Sequence, residues 1–351
     1  MDRTTRRQEK INRFDPNGVG LRNGRFIGLP FLEEDAEVVV QSIPWDVTVS
    51  YGGGTADGPG IVLEASGQLD LEDPVVEEAW KMGLYVRPSS DVIRATSNQL
   101  RKQAEFHIES LENGIRTDRS YDILETINDA CTALHEDIYA STKAILAKQQ
   151  IPGVLGGDHS TPFGLIKALS EVYPDMGILQ VDAHMDLRAA YEGFIWSHAS
   201  IFQNVMHRLP IRQLVQVGIR DYCEEEWQYA QRHADRVRVY RDRDIREAMF
   251  KGKSLYAIWE EVIDALPSEV YISFDIDGLD PSLCPGTGTP VPGGLSFAEA
   301  NALLDMVVQS GRTIVGFDLC EVSGEVDWDG NVGARVLYHL ANLAGRSQGR
   351  I

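Results

Sequence analysis

Residues 177–186 read GILQVDAHMD, in which a short apolar run passes directly into two aspartates and a histidine. Side chains of an extended chain alternate between two faces, so Asp182, His184 and Asp186 point the same way. Carboxylates and imidazoles are typical ligands of divalent transition metals. The stretch therefore predicts a buried strand whose carboxyl end supplies part of a metal site.

Two further motifs have the same layout. Residues 156–160 read GGDHS and follow a short apolar strand, and residues 275–281 read DIDGLDP after the apolar run 271–274. A lone DxD is usually a turn, and a lone GGDHS could be a turn with a helix-capping aspartate. Three such clusters at strand ends would be costly to bury without a cation. Together they indicate a metal centre.

The predicted ligands are two imidazoles and four carboxylates, which exceeds the needs of one tetrahedral zinc site. They suit two divalent ions that share bridging carboxylates. The oxygen-rich set favours Mn²⁺, with Ni²⁺ as the alternative that imidazole ligands allow. Two adjacent ions can lower the pKa of a bridging water and aim it at an electrophile. The predicted ligands are His159, Asp182, His184, Asp186, Asp275 and Asp277.

Apolar runs alternate with helical patterns along most of the chain. The predicted strands are 36–42, 82–86, 154–155, 176–181, 214–217, 236–240, 269–274 and 313–317. The predicted helices are 123–149, 162–172, 199–208, 256–266, 297–309 and 332–343. This alternation predicts an α/β fold with a mainly parallel sheet covered on both faces. In such a sheet, ligands bind beyond the carboxyl ends of the strands.

The composition excludes several classes of protein. The chain has 351 residues, a net charge of −20 and 43% hydrophobic residues. An acidic chain does not bind nucleic acid non-specifically, whereas it attracts small cations. The four cysteines form no CxxC pair, which indicates reduced thiols in the cytoplasm. The polar N-terminus is not a secretory signal, and no apolar run approaches the length of a membrane span.

The motifs GGDHS, DAHMD and SFDIDGLDPS, in that order, resemble the ureohydrolase family of arginases, agmatinases, guanidinobutyrases and formimidoylglutamases. The resemblance extends from about residue 30 to the C-terminus, and residues 285–290 (PGTGTP) with Gly293 and Gly294 resemble agmatinases in particular. It implies a single three-layer αβα domain, residues 36–351, a binuclear manganese site, and trimers or hexamers. Residues 1–35 are then an N-terminal arm, and residues 88–122 an insertion with at most one helix. Either segment is expected to contact a neighbouring subunit or to help cover the site.

The resemblance also implies roles for single residues. His159 and Asp186 would hold one ion, His184 and Asp277 the other, and Asp182 and Asp275 would bridge them. A bridging hydroxide, oriented by Asp186, would attack the guanidinium carbon to give urea and an amine or ammonia. Glu321, in GFDLCE, would bind the guanidinium, and His198, in WSHAS, would pass a proton to the leaving amine.

Residues 187–196 depart from the arginase pattern, because they lack the Asn and Ser that hold an amino-acid carboxylate there. Arginine is therefore disfavoured as a substrate. Tyr191, Phe194 and Trp196 give this loop an aromatic character, and aromatic faces can hold a cation or exclude water. Tyr191 and Trp196 are accordingly predicted to contact the substrate, with ordinary loop packing as the alternative.

Agmatine-like amines are the first substrate class that the resemblance implies. A divergent branch of the family, which includes guanidine hydrolases and some nickel enzymes, is the alternative. Two hypotheses of other classes stay open: a catalytically silent, metal-binding regulatory homologue, and a hydrolase of the related deacetylase type with one zinc ion. The metal stoichiometry and urea release separate these hypotheses.

Overall fold

The structure is a computed structural model that describes residues 2–115 and 118–351. Eight strands in these residues form one sheet, in which every pair is parallel and the order is β2-β1-β3-β8-β7-β4-β5-β6. The strands are β1 (Val38–Ile43), β2 (Leu84–Val86), β3 (Ile151–Gly156), β4 (Gly177–Val181), β5 (Gln213–Ile219), β6 (Val237–Arg241), β7 (Glu269–Asp275) and β8 (Thr313–Cys320). The predicted fold class is confirmed.

Helices cover the sheet on both sides. They are α1 (Arg3–Ile11), α2 (Gly58–Ala65), α3 (Asp91–Glu112), α4 (Asp118–Ala147), α5 (Phe163–Val172), α6 (Ile201–Arg208), α7 (Glu224–Arg232), α8 (Asp242–Phe250), α9 (Leu255–Asp264), α10 (Phe297–Gln309) and α11 (Asn331–Ser347). Consecutive strand residues enter opposite cores: Leu179 shares a core with Leu337 of α11, and Ile178 shares one with Ile166 of α5. Burial of both faces explains why the strands are apolar runs rather than alternating patterns.

The sheet topology brings the three sequence motifs to one place. Strands β3, β8, β7 and β4 lie side by side at the centre, and each motif follows the carboxyl end of one of them. Strands β3 and β4 are consecutive in the chain yet lie three positions apart in the sheet. A crevice at the carboxyl edge of a parallel sheet is where such folds bind ligands.

Each predicted strand and helix has a counterpart, but four helices were not predicted: α1, α2, α7 and α8. Helix α7 reads EEEWQYAQR and buries only Glu226 and Ala230, so its sequence carries little apolar periodicity. Strand β8 also extends to Cys320, three residues past its predicted end at 317. The prediction ends at 317 because Asp318 interrupts the apolar run. In the structure Asp318 is buried and accepts hydrogen bonds from Tyr271 and Ser273 of β7.

The first 35 residues pack on their own chain, away from the carboxyl edge of the sheet. In α1, Arg6 and Lys10 pair with Asp35, and Arg7 pairs with Glu37, directly before β1. This is the amino end of the strand, so α1 does not cover the crevice. The helix of the predicted insertion, α3, lies closer to it, as described below.

None of the helices in the described ranges combines the length and the apolar character that crossing a bilayer requires.

Candidate metal centre

All six predicted ligands meet at the carboxyl edge of the central strands. His159 follows β3, Asp182, His184 and Asp186 follow β4, Asp275 ends β7, and Asp277 lies one turn beyond it. All but His184 are buried, and His184 is about one-quarter exposed. The parallel order of the strands brings their carboxyl ends together, and five of the six ligands lie in the turns that follow those ends.

The ligands form two overlapping groups. Nδ1 of His159 lies 3.0 Å from a carboxylate oxygen of Asp182, 3.0 Å from one of Asp186 and 3.2 Å from one of Asp275. Nδ1 of His184 lies 3.1 Å from Asp277 and 3.6 Å from Asp182. Asp182 belongs to both groups, as a bridging carboxylate must.

The donor set fits two divalent cations. Ligand atoms of His159, Asp182 and Asp186 all lie within 4.8 Å of one another, and so do those of Asp182, His184 and Asp277. Nδ1 of His159 is buried, and no group in the described ranges forms a well-aligned hydrogen bond with it. A buried imidazole nitrogen that faces three carboxylates has the surroundings of a metal ligand.

The pKa values show how strongly these groups depend on positive charge. Burial and the charge of Asp182 raise the pKa of the Asp186 carboxyl to about 7. Burial of His159 disfavours its protonated form and so lowers its pKa. The adjacent carboxylates of Asp182, Asp186 and Asp275 outweigh this effect and raise the pKa well above the ordinary value. Divalent ions bound here would favour the ionised form of these carboxylates.

Close backbone packing shapes the GGDHS turn. A Cβ atom at Gly157 would lie 2.1 Å from the carbonyl oxygen of Trp45, so no side chain fits there. The N–H of Glu321 donates to the carbonyl of Gly157 at 2.8 Å. The glycine thereby lets the segment after β1 pack closely against the turn that carries His159.

A cavity of about 140 Å³ opens above the ligands. Glu321, His198 and Tyr191 line it together with His159, His184, Asp186 and Asp275. Asp182 and Asp277 lie outside the cavity lining.

Glu321 and His198 are adjacent within this cavity. Oε1 of Glu321 accepts the backbone N–H of His159 at 2.8 Å and lies 3.6 Å from Nδ1 of His198. Burial opposes the imidazolium of His198, but Glu321, Asp158 and Asp186 outweigh it and raise the pKa of His198 above its ordinary value. A carboxylate and a protonatable imidazole therefore stand next to the ligand cluster.

Trp196, which the sequence predicts as a substrate contact, lies outside the lining of this cavity. Its side chain is buried, its ring packs on Phe163 and His135, and its indole N–H donates to Thr132 of α4 at 2.9 Å. The aromatic pattern of residues 191–196 could not show which rings face inward. Ordinary loop packing, the alternative interpretation, describes Trp196, and His135 is part of that packing.

The cavity lining includes residues that the sequence analysis did not single out: Ser50, Arg188, Ala199, Asp221, Tyr222, Glu226 and Thr289. Ser50 belongs to a glycine-bearing loop, and α3 fixes this loop because Ser97 contacts Asp46 and Arg101 donates to the carbonyl of Val49. Glu226 gave no sequence signal, because it is the third of three consecutive glutamates. The structure alone buries it, where it accepts the N–H of Leu187 at 3.0 Å.

Comparison with known proteins agrees with this geometry. Residues 36–344 match the model of the arginase family. The chain is 31% identical to an N(1)-aminopropylagmatine ureohydrolase of Thermus thermophilus, over 90% of this chain and 93% of that one. It is 29% identical to an agmatinase of Halalkalibacterium halodurans, over 84% and 86% of the two chains.

Solved structures show the same fold. Agmatine ureohydrolase of Thermoplasma volcanium superposes with a TM-score of 0.70 at 23% identity, covering 94% of this chain and 97% of the other. Proclavaminate amidino hydrolase of Streptomyces clavuligerus gives a TM-score of 0.73 at 22% identity, covering 94% and 100%. The chain therefore belongs to the arginase family of ureohydrolases, which are hydrolases of guanidino carbon–nitrogen bonds.

Proposed function

We propose that this protein uses two divalent metal ions to hydrolyse a small cationic guanidino compound, releasing urea and an amine or ammonia. The observation that carries the proposal is the shared cavity, where Glu321 and His198 stand beside the six-ligand cluster. A catalytically silent homologue would not need this pair.

Asp182 belongs to both ligand groups, and the bridging role of Asp275 comes from the resemblance to ureohydrolases. His159 and Asp186 would hold one ion, His184 and Asp277 the other, and Asp182 and Asp275 would bridge them. When bound, such a pair of ions supplies a water whose pKa is low enough to make it a nucleophile at neutral pH. We propose Mn²⁺ as the resident metal, with Ni²⁺ as the alternative, because the ligand set contains four carboxylates and two imidazoles.

The residues of the chain have separate tasks in this proposal. Glu321 pairs with the planar guanidinium, whose N–H groups suit a carboxylate acceptor. Asp186 accepts a hydrogen bond from the attacking water and so orients it. His198, whose pKa the neighbouring carboxylates raise although burial opposes its charge, donates a proton to the departing amine nitrogen. Tyr191 closes one side of the cavity.

Agmatine-like amines are the first candidate substrates, because the relatives described above are named agmatinase and aminopropylagmatine ureohydrolase. An acidic chain, with a net charge of −20, also favours cationic substrates.

Free guanidine is the second candidate, because the cavity is large enough to hold it without any further group. A protein cavity of roughly 150 Å³ accommodates a molecule the size of benzene. The cavity above the ligand cluster measures about 140 Å³ and opens to solvent, so a guanidinium group fits inside it and a longer aminoalkyl tail would extend outward.

The test is urea release by metal-stripped protein that is reloaded separately with Mn²⁺ and with Ni²⁺. The substrates are agmatine, arginine, 4-guanidinobutyrate, 3-guanidinopropionate and guanidine. Turnover of agmatine with Mn²⁺ supports the first candidate, and turnover of guanidine alone supports the second. No urea from any of them, with either metal, overturns the proposal.

We further propose a homo-oligomer, a trimer or hexamer, that works in the cytoplasm on a free small molecule. All four cysteines are unpaired thiols, which suits a reducing compartment. Light scattering of the purified protein tests the oligomer, and a monomeric mass contradicts it.

A further inference from the structure

His198 lies between two oxygen-bearing groups on the wall of the cavity. Its Nδ1 lies 3.6 Å from Oε1 of Glu321, and its Nε2 lies 3.4 Å from the hydroxyl oxygen of Ser50. All three residues line the cavity, and most of the His198 side chain is buried. The two ring nitrogens therefore face different partners: the carboxylate that is proposed to bind the guanidinium, and a hydroxyl from the loop after β1.

The loop that carries Ser50, residues 46–54, is held at several points. Arg101 of α3 donates hydrogen bonds to two backbone carbonyls of this loop. A carboxylate oxygen of Asp46 accepts the backbone N–H of Gly54 at 3.0 Å, which joins the two ends of the loop. These contacts fix the backbone on both sides of Ser50, so its hydroxyl stays beside the imidazole.

The protonation of His198 determines the direction of its hydrogen bond to Ser50. A protonated imidazole carries an N–H on both nitrogens, so the hydroxyl oxygen of Ser50 has to accept from Nε2. Nδ1 faces Glu321, the proposed partner of the guanidinium, and so it is the nitrogen on the substrate side of the ring. When Nδ1 loses its proton, the hydrogen bond from Nε2 to Ser50 remains and keeps the neutral ring in the same orientation.

We propose that Ser50 is a positioning residue for proton transfer: by accepting the Nε2–H of His198, it directs Nδ1 at the departing nitrogen. The N–H bond at Nδ1 breaks as the carbon–nitrogen bond of the substrate breaks. The departing nitrogen keeps the electron pair of that bond and binds the proton with it, and solvent water later returns a proton to Nδ1. The inference rests on the proposed function, because it takes His198 as the proton donor.

The test compares urea release by the wild type and by Ser50→Ala, on agmatine and on guanidine. Both proteins are loaded with whichever of Mn²⁺ and Ni²⁺ gives the faster reaction. A well-placed general acid contributes roughly 10²–10⁴-fold to the rate, and a misdirected one loses part of this factor. We expect kcat to fall by about 10–100-fold, with KM and ion content within about twofold of the wild type. Ser50→Thr, which keeps a hydroxyl, should recover most of the lost kcat.

Two comparisons separate this role from a structural one. Tyr51→Phe removes a hydroxyl from the next position of the same loop, where the side chain is 84% exposed, and should leave kcat unchanged. His198→Asn removes the group through which Ser50 is proposed to act. Ser50→Ala should then lower kcat no further when it is added to His198→Asn, because residues that act as one unit are not additive.

The outcomes separate this inference from the proposed function. A wild-type kcat in Ser50→Ala overturns the positioning role, and so does a raised KM at unchanged kcat, which would make Ser50 a substrate contact. An equal loss of kcat from Ser50→Ala with and without His198 also overturns it, as does a Ser50→Thr variant no more active than Ser50→Ala. A wild type that releases no urea from any of the substrates contradicts the proposed function itself.

Discussion

Two residues of the site have backbone conformations that their residue types rarely adopt. Asp186 has φ of 54° and Glu321 has φ of 64°, in the left-handed region that favours glycine. Backbone contacts hold both: the carbonyl of Asp186 accepts from Phe202 and Gln203 of α6, and the N–H of Glu321 donates to Gly157. Such strain persists where the surrounding structure fixes it, commonly at functional sites.

Asp275→Ala removes a carboxylate that lies 3.2 Å from Nδ1 of His159. We expect the variant to lose urea release and at least one of its two ions, because a bridging ligand serves both positions. The far-ultraviolet circular dichroism should match the wild type. Metal analysis and a urea assay measure the effect, and full activity in this variant would show that the ligand assignment is wrong.

Glu321→Gln preserves the size of the side chain but removes its charge. A hydrogen bond to a charged group contributes about 1.5–3 kcal/mol, so kcat/KM for a guanidinium substrate should fall by about 10–100-fold. The ion content should stay at the wild-type value, because Glu321 is not a proposed ligand. A variant that loses its metal would instead make Glu321 part of the metal centre.

At the scale of elements, α4 supports the loop that leads from Asp186 to His198. The backbone N–H of Ile195 donates to Asn128 at 2.9 Å, and the indole of Trp196 donates to Thr132. Within this loop, Trp196 therefore faces α4, whereas Tyr191 faces the cavity. A loop built in this way is part of the core rather than a free lid.

Trp196→Ala should therefore destabilise the protein instead of weakening substrate binding. Truncation of a buried tryptophan typically costs about 3–5 kcal/mol, which urea denaturation can measure. Thr132→Ala is the matched variant: it removes the acceptor of the indole N–H together with a hydrogen bond to the carbonyl of Asn128. Because Thr132 is exposed, the variant should cost about 0.5–1.5 kcal/mol. A raised KM without any loss of stability would restore Trp196 as a substrate contact.

A buried triad joins α11 to α10 and to the loop before β2. His339 lies 3.2 Å from Asp73 and 2.9 Å from Asp305. Burial opposes the charge of His339, but hydrogen bonds to Asp305 and Asp73 raise its pKa to about 9. Burial likewise opposes the charge of Asp73, and hydrogen bonds from His339 and Asn342 lower its pKa to about 2.

These shifts predict how stability depends on pH. Because the pKa of His339 is raised, its contribution is complete below about pH 6.5 and disappears as the pH rises through 9. The loss should be on the order of 3 kcal/mol. The contribution of Asp73 is complete above pH 3.8 and disappears as the pH falls through 2. Urea denaturation at about pH 6.5 and about pH 9.5 measures the first loss, and His339→Gln should show a much smaller difference between the two.

At the scale of the whole molecule, metal binding should contribute to folding stability. The cluster places four carboxylates among buried strand ends, and ions that bind only the folded state stabilise it by mass action. At about 100 times the dissociation constant, each ion contributes about 2.7 kcal/mol. Chelation should therefore lower the melting temperature by several degrees, and added Mn²⁺ should restore it. An unchanged melting temperature would contradict a folded-state metal centre.

The sequence by itself predicted the sheet class and the six residues that meet at the candidate metal centre. Both predictions depend on local patterns. Apolar runs separated by helical patterns indicate parallel strands. The i, i+2, i+4 spacing of Asp182, His184 and Asp186 directly after one such run indicates a group of ligands. The sequence did not reveal helices α7 and α8, whose polar faces leave little apolar periodicity. It also ended β8 too early, because a buried Asp318 has no local signature.

Tertiary structure alone decided which way the side chains of the active-site loop point and what supports the ligands. Trp196 faces α4, Glu226 is buried against the residue after Asp186, and Ser273 connects His159 to Asp318. These contacts join residues that lie tens to more than one hundred positions apart in the chain. The local sequence pattern determines which side chains follow the end of a strand. Packing between distant parts of the chain determines which residues surround those side chains.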